Sequence, residues 1–202
     1  MKRIEHALER EGYRVINISY PSRSLPLEQI AQEWIPSLLT THHAETAPAL
    51  HFVTHSMGGI ALRGYLHTHT PANLGRVVMI APPNQGTRLV DRIGDWWAFR
   101  VFTGINGVQL GGGADAAPQR WGPWTHPAAL GIIAGDRTLN PLFSRWIGPG
   151  ANDGKVSVAS TRLEGMAAHI VLPYSHTWLQ YRTPVIDQVR AFLRHGQFDP
   201  VN

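Results

Sequence analysis

Two rhythms of apolar and polar residues run through this chain, and the switches between them mark its elements. Ile4, Ala7 and Leu8 share one face of a helical stretch from Lys2 to Glu11, and Gly12 follows as a stop. Tyr13 to Ser19 carries Val15, Ile16 and Ile18 ahead of Tyr20-Pro21-Ser22, which predicts a buried strand ended by a proline turn. Between Leu27 and Thr40 the residues Leu27, Ile30, Ala31, Trp34, Leu38 and Leu39 return at helical spacing, with Pro36 placed to kink or end the element. Leu50-His51-Phe52-Val53 is a short apolar run, after which Ile60, Ala61, Tyr65 and Leu66 resume the helical period. Further strands are expected over Arg76–Ile80, Ala128–Ala134 and His169–Leu172, and a closing helix from Pro184 to Arg194 bears Val185, Val189, Phe192 and Leu193. Alternating helices and strands predict an α/β fold with a mostly parallel central sheet flanked by helices.

The spacing leaves one long interruption. Residues 84–127 combine an aromatic cluster (Trp96, Trp97, Phe99, Val101, Phe102) with a Gly-rich stretch from Gly104 to Gly122, and they read as a cap or lid inserted into a single domain spanning 1–202. A hinged lid and a rigid cap are both compatible with that composition. With 202 residues and 43 % hydrophobic types, one compact domain with a real core is expected.

Charge and cysteine content narrow the chemistry. The formal net charge is +4, but Lys and Arg are scattered without a basic block, which argues against nucleic-acid binding. No apolar run is long enough to span a bilayer, and Met1-Lys2-Arg3-Ile4-Glu5-His6 lacks the apolar core of a secretion signal; the chain as it stands reads as soluble and cytoplasmic, without stable membrane insertion. There is no cysteine, so any nucleophile is an oxygen or a lysine. The histidine pairs His42-His43 and His67/His69 lack the i, i+4 spacing of two metal ligands on one helical face, and neither a metal nor another cofactor is expected.

The segment with the most chemical content is Thr54-His55-Ser56-Met57-Gly58-Gly59, lying between an expected strand and an expected helix. A serine hydroxyl needs a base to take its proton and a geometry that exposes its oxygen, and a sharp strand-to-helix turn supplies the exposure. Such a turn is tight, hence the small flanking residues of the G-x-S-x-G pattern; here Gly58 is present and Thr54 stands in place of the first glycine. Ser56 is therefore the candidate nucleophile, and the Met57 N–H, at the start of the following helix, is placed to stabilise an oxyanion. His55 is read as a packing residue, because a residue adjacent to Ser56 points away from it. His176, in the loop Pro173–Thr177 beyond the last strand, is the candidate base. Two carboxylates precede it, Asp136 directly after a strand and Asp153 in Asn152-Asp153-Gly154, and either could orient its imidazole.

Taken in order, Tyr20-Pro21-Ser22, Val53-Thr54-His55-Ser56-Met57-Gly58-Gly59, Pro82-Pro83-Asn84-Gln85-Gly86, Asn152-Asp153-Gly154-Lys155-Val156 and Ser175-His176-Thr177 resemble the bacterial α/β-hydrolases of the esterase/lipase type over nearly the whole chain. The resemblance implies an α/β-hydrolase fold and a Ser56–His176–Asp153 triad, favouring Asp153 over Asp136 because an Asp-Gly-x-Val segment carries the acid in lipase-like relatives. It further implies that a strand and an oxyanion loop, which in such enzymes lie ahead of the first helix here, are missing from this N-terminally short chain. The expected activity is hydrolysis of a small-molecule ester or lipid through an acyl-enzyme. A thioesterase or amidase using the same triad, and a non-catalytic relative acting as a binding module, stay open, as does homo-oligomer formation.

Overall fold

A computed structural model describes residues 1–87, 90, 106, 109–111, 113, 116–139, 147 and 149–201. Within them four strands, β1 (Leu50–His55), β2 (Leu74–Ile80), β3 (Leu130–Gly135) and β4 (Ala168–Leu172), lie side by side in sequence order, and every neighbouring pair is parallel. A parallel sheet requires a crossover between strands. The described crossovers and flanks contain α1 (Lys2–Glu9), α2 (Leu27–Gln29), α3 (Ile35–Thr41), α4 (Met57–Thr68), the short α5 (Ala117–Arg120) and α6 (Val158–Thr161), and α7 (Thr183–His195).

Strand alternation splits the core into two layers. Val78, Ile80 and Ile133 point to the face covered by α1 and α7, where they meet Ile4, Leu8, Val185, Val189 and Phe192. Val77, Met79, Leu130 and Ile132 point to the other face and pack on Leu62, Tyr65 and Leu66 of α4, with Trp124 and Leu163. A third cluster joins Leu27 and Ile30 to Ile60 and Ala61 of α4 and to Ala117. All six residues of β3 are buried, as expected for a strand covered on both faces. All six residues of β1, the edge strand, are only partly buried.

Two sequence expectations need correction. Tyr13–Ser19 is not a strand: among the described residues no backbone-to-backbone hydrogen bond reaches positions 14–19. A strand exists only where another backbone edge is within pairing distance, and here a cavity of about 650 Å³ intervenes, lined by Val15, Ile18 and Tyr20 on one side and Val53 of β1 on the other. The helix expected over Leu27–Thr40 is present, but α2 and α3 are joined by a π-helical turn, Ile30–Trp34. Pro36, at the start of α3, cannot donate to the helix, and the widened turn ahead of it absorbs the lost bond without breaking the rod. Of the expected insertion over 84–127, the aromatic cluster Trp96–Phe102 lies outside the described residues. Its last segment is firmly attached. The buried Arg63 guanidinium on α4 donates to the carbonyls of Pro118, Gly122 and Asn84 and to Asn84 Oδ1, and the Trp121 indole lies so close to Gly64 that a Cβ there would stand 2.6 Å from it.

Candidate active site

The carboxyl ends of the parallel strands carry the candidate residues, the edge at which open α/β sheets place their ligand sites. β1 ends at His55 and α4 starts at Met57, leaving one residue, Ser56, to make the turn. It does so at φ 55°, ψ −128°, a left-handed conformation that costs a non-glycine residue about 1–3 kcal/mol. The conformation is held from both sides: Ser56 N–H donates to the Ile80 carbonyl at 2.8 Å, and the Ser56 carbonyl accepts from Gly59 N–H at 3.0 Å. The tight position of the turn is Gly59, where a Cβ would sit 3.1 Å from Pro82 Cβ and 3.3 Å from Met79 Sδ. At Gly58 the same atom would be 3.7 Å from both Thr54 Cβ and Tyr20 Oη, ordinary contact, so threonine at 54 is accommodated. The Thr54 hydroxyl oxygen is buried without a hydrogen-bond partner among the described residues. Burial also pushes the nearby Tyr20 phenol up to about 12, so it stays neutral.

The loop after β4 brings His176 over Ser56. Its path crosses the end of β3 at Gly135, where a Cβ would stand 2.3 Å from the Tyr174 carbonyl oxygen; a residue with any side chain would block the crossing. His176 Nε2 lies 2.9 Å from Ser56 Oγ and His176 Nδ1 lies 2.7 Å from Asp153 Oδ2. A carboxylate only accepts, so Nδ1 carries the ring proton and Nε2 is free to accept the serine hydroxyl proton. Asp153 sits in a tight turn closed by a bridge between Asn152 and Ser157, with Gly154 at φ 96°. Its second oxygen, Oδ1, accepts the Lys155 and Val156 N–H groups at 2.9 and 2.8 Å. Asp153 and His176 are 2 % and 4 % exposed, so their hydrogen bond lies away from solvent screening.

The other candidates are placed differently. Asp136 lies at the end of β3 with Arg137 at 3.6 Å, and it makes no bond to His176. Met57 is the first residue of α4, where helix N–H groups lack intrahelical acceptors and the helix dipole favours negative charge. His55 does more than pack: its Nε2 is 3.0 Å from the His176 carbonyl oxygen, and the two rings lie 4.9 Å apart. Burial, and secondarily the neighbouring His176, push the His55 imidazole down to about 4. No signal in the sequence points to this bond, because its acceptor is a backbone carbonyl, a group that every residue carries.

A hydroxyl, an imidazole and a carboxylate in one hydrogen-bonded line have the composition for proton transfer from the hydroxyl to the ring, with the carboxylate balancing the charge that develops. No family model matches the sequence, and no curated protein does. Solved structures do. The mature lipase BlEst2 of Bacillus licheniformis superposes with a TM-score of 0.66 at 17 % identity, over 86 % of this chain and 76 % of that one. Its propeptide form gives 0.71 at 15 %, over 98 % of this chain and 47 % of that one. This chain has an α/β-hydrolase fold. Two further α/β-hydrolase matches are the phospholipase PlaB of Legionella pneumophila (0.62, 18 %, 80 % of this chain and 41 % of that one) and the metagenomic carboxyl esterase MGS0156 (0.66, 18 %, 86 % and 57 %). The chain therefore spans about half the length of most of these α/β-hydrolase neighbours, and what it shares with them at such identities is the fold.

Proposed function

We propose that the chain is a serine hydrolase of carboxylic esters in which Ser56, His176 and Asp153 form the catalytic triad. The observation that carries this reading is the unbroken line Ser56 Oγ–His176–Asp153, at 2.9 and 2.7 Å, with the serine held on a strained turn between strand and helix. In the reaction, His176 Nε2 takes the Ser56 proton as Oγ attacks the ester carbonyl, and Asp153 stabilises the imidazolium. The Met57 N–H donates to the oxyanion. Collapse expels the alcohol, which receives the proton from His176, and a water activated by the same ring then releases the acid from the Ser56 acyl-enzyme. The lipase, phospholipase and esterase named among the structural neighbours support an ester over an amide.

The test is intact-mass analysis after exposure to a fluorophosphonate, with the Ser56→Ala variant and heat-denatured protein as controls. A single adduct on the folded wild type, absent from both controls, is expected, and a panel of p-nitrophenyl esters, thioesters and anilides then ranks the substrates. No adduct on folded protein overturns the reading. The half-open edge of β1 would then favour the alternative of a non-catalytic binding module.

A further inference from the structure

His176 has four polar groups, and the arrangement uses all of them. Its ring nitrogens engage Ser56 and Asp153. Its backbone N–H donates to the Asp153 carbonyl at 3.0 Å, and its backbone carbonyl faces His55 Nε2, also at 3.0 Å. A carbonyl oxygen only accepts, so His55 must carry its proton on Nε2. We propose that His55 is a positioning residue: its Nε2–H, donated to the His176 carbonyl, fastens the loop that bears the base to the strand that bears the nucleophile. The proposal rests on the hydrolase reading above.

The connectivity gives this bond its particular effect. Asp153 holds the ring and the N–H of His176, but Asp153 belongs to the segment after β3 and has no direct tie to β1. His55 is the last residue of β1, adjacent to Ser56 in the chain, so its bond references the base to the nucleophile's own strand. Reaction geometry tolerates errors well under an ångström, and a donor fixed by a strand end holds it better than a loop alone. The charge state suits the task. The ionisable groups facing His55 are His176, Asp153 and Lys155, and the burial that keeps His55 neutral prevents a second cation from opposing the imidazolium that forms at His176.

The experiment combines nitrogen-15 NMR of the histidines in the wild type with steady-state kinetics on p-nitrophenyl butyrate for wild type, His55→Phe and His55→Gln. Gln places an amide N–H at nearly the reach of Nε2, whereas Phe keeps the bulk and removes the donor. Expected are a neutral, Nε2-protonated His55 at pH 7, a fall in kcat of about tenfold in His55→Phe with little change in KM, and recovery to within about threefold in His55→Gln. A charged or Nδ1-protonated His55 in the wild type overturns the proposal without any variant. So does a folded His55→Phe enzyme with wild-type kcat, a change confined to KM, or a Gln variant no better than Phe. A folded wild type that neither labels nor turns over substrate overturns the hydrolase reading instead, and the NMR result then decides the His55–His176 bond alone.

Discussion

The two flanks of Ser56 differ in how completely the protein fills them. Toward β2, β3 and β4, the backbone and side-chain polar groups of His176 are all engaged, and both Asp153 oxygens are occupied. Toward the outside, β1 has no strand partner among the described residues, its six residues are half-buried, and segment 14–19 stands across a cavity of about 650 Å³. The contrast separates two requirements. Aligning a base with a nucleophile needs converging hydrogen bonds from several segments, whereas holding β1 in place needs only one ladder and an apolar face.

The largest effect that would test this contrast is expected on the filled flank. Asp153→Asn keeps the shape of the side chain but lets the amide favour the wrong tautomer of His176, so kcat on p-nitrophenyl butyrate should fall on the order of 10⁴-fold. Asp136→Asn should leave kcat within about twofold, because Asp136 makes no bond to His176. An Asp153→Asn enzyme that retains a tenth of wild-type kcat would remove Asp153 from the proposed triad.

Next in size is a difference in tolerance between two glycines. Gly135→Ala forces a methyl against the Tyr174 carbonyl at 2.3 Å, and a loss of about 3 kcal/mol or more in urea unfolding is expected. Gly58→Ala meets nothing closer than 3.7 Å among the described residues and should change stability by less than about 1 kcal/mol. Equal losses would mean that the two flanks are packed alike. Hydrogen exchange reads the open edge directly. Ser56 N–H donates to β2, so alternation turns the Thr54 N–H the same way and the Val53 N–H outward. Val53 should exchange about a hundredfold faster than Thr54, and matched rates would show that the outer edge is covered in solution. The smallest expected effect is a gain: Thr54→Val exchanges a buried, unpartnered hydroxyl for a methyl and should stabilise the protein by about 1 kcal/mol.

Much of this was legible in the chain because periodicity reports burial. The run Leu50–Val53, the resumed helical period at Ile60 and the strand over Arg76–Ile80 locate β1, α4 and β2, and with them the turn that holds Ser56. The bond from His176 to Asp153 rather than Asp136 follows from the resemblance, not from spacing, since both carboxylates follow β3 and precede β4. Tyr13–Ser19 shows the limit of periodicity. Val15, Ile16 and Ile18 give it the composition of a strand, but pairing depends on a second backbone edge that no local pattern encodes. The roles of Gly59, Gly135 and His55 were hidden for the same reason: each is set by a neighbour distant in sequence, Pro82, Tyr174 or the His176 carbonyl.

The contact between Gly64 and Trp121 has a consequence for inheritance. The indole occupies the space that any side chain at 64 would need, so the two positions share one volume. A lineage can enlarge residue 64 only after, or together with, a reduction at 121, and a single change in the wrong order meets a steric clash. Among relatives that diverge slowly from this chain, these positions should therefore vary as a pair, with the sum of their sizes nearly constant while each one drifts.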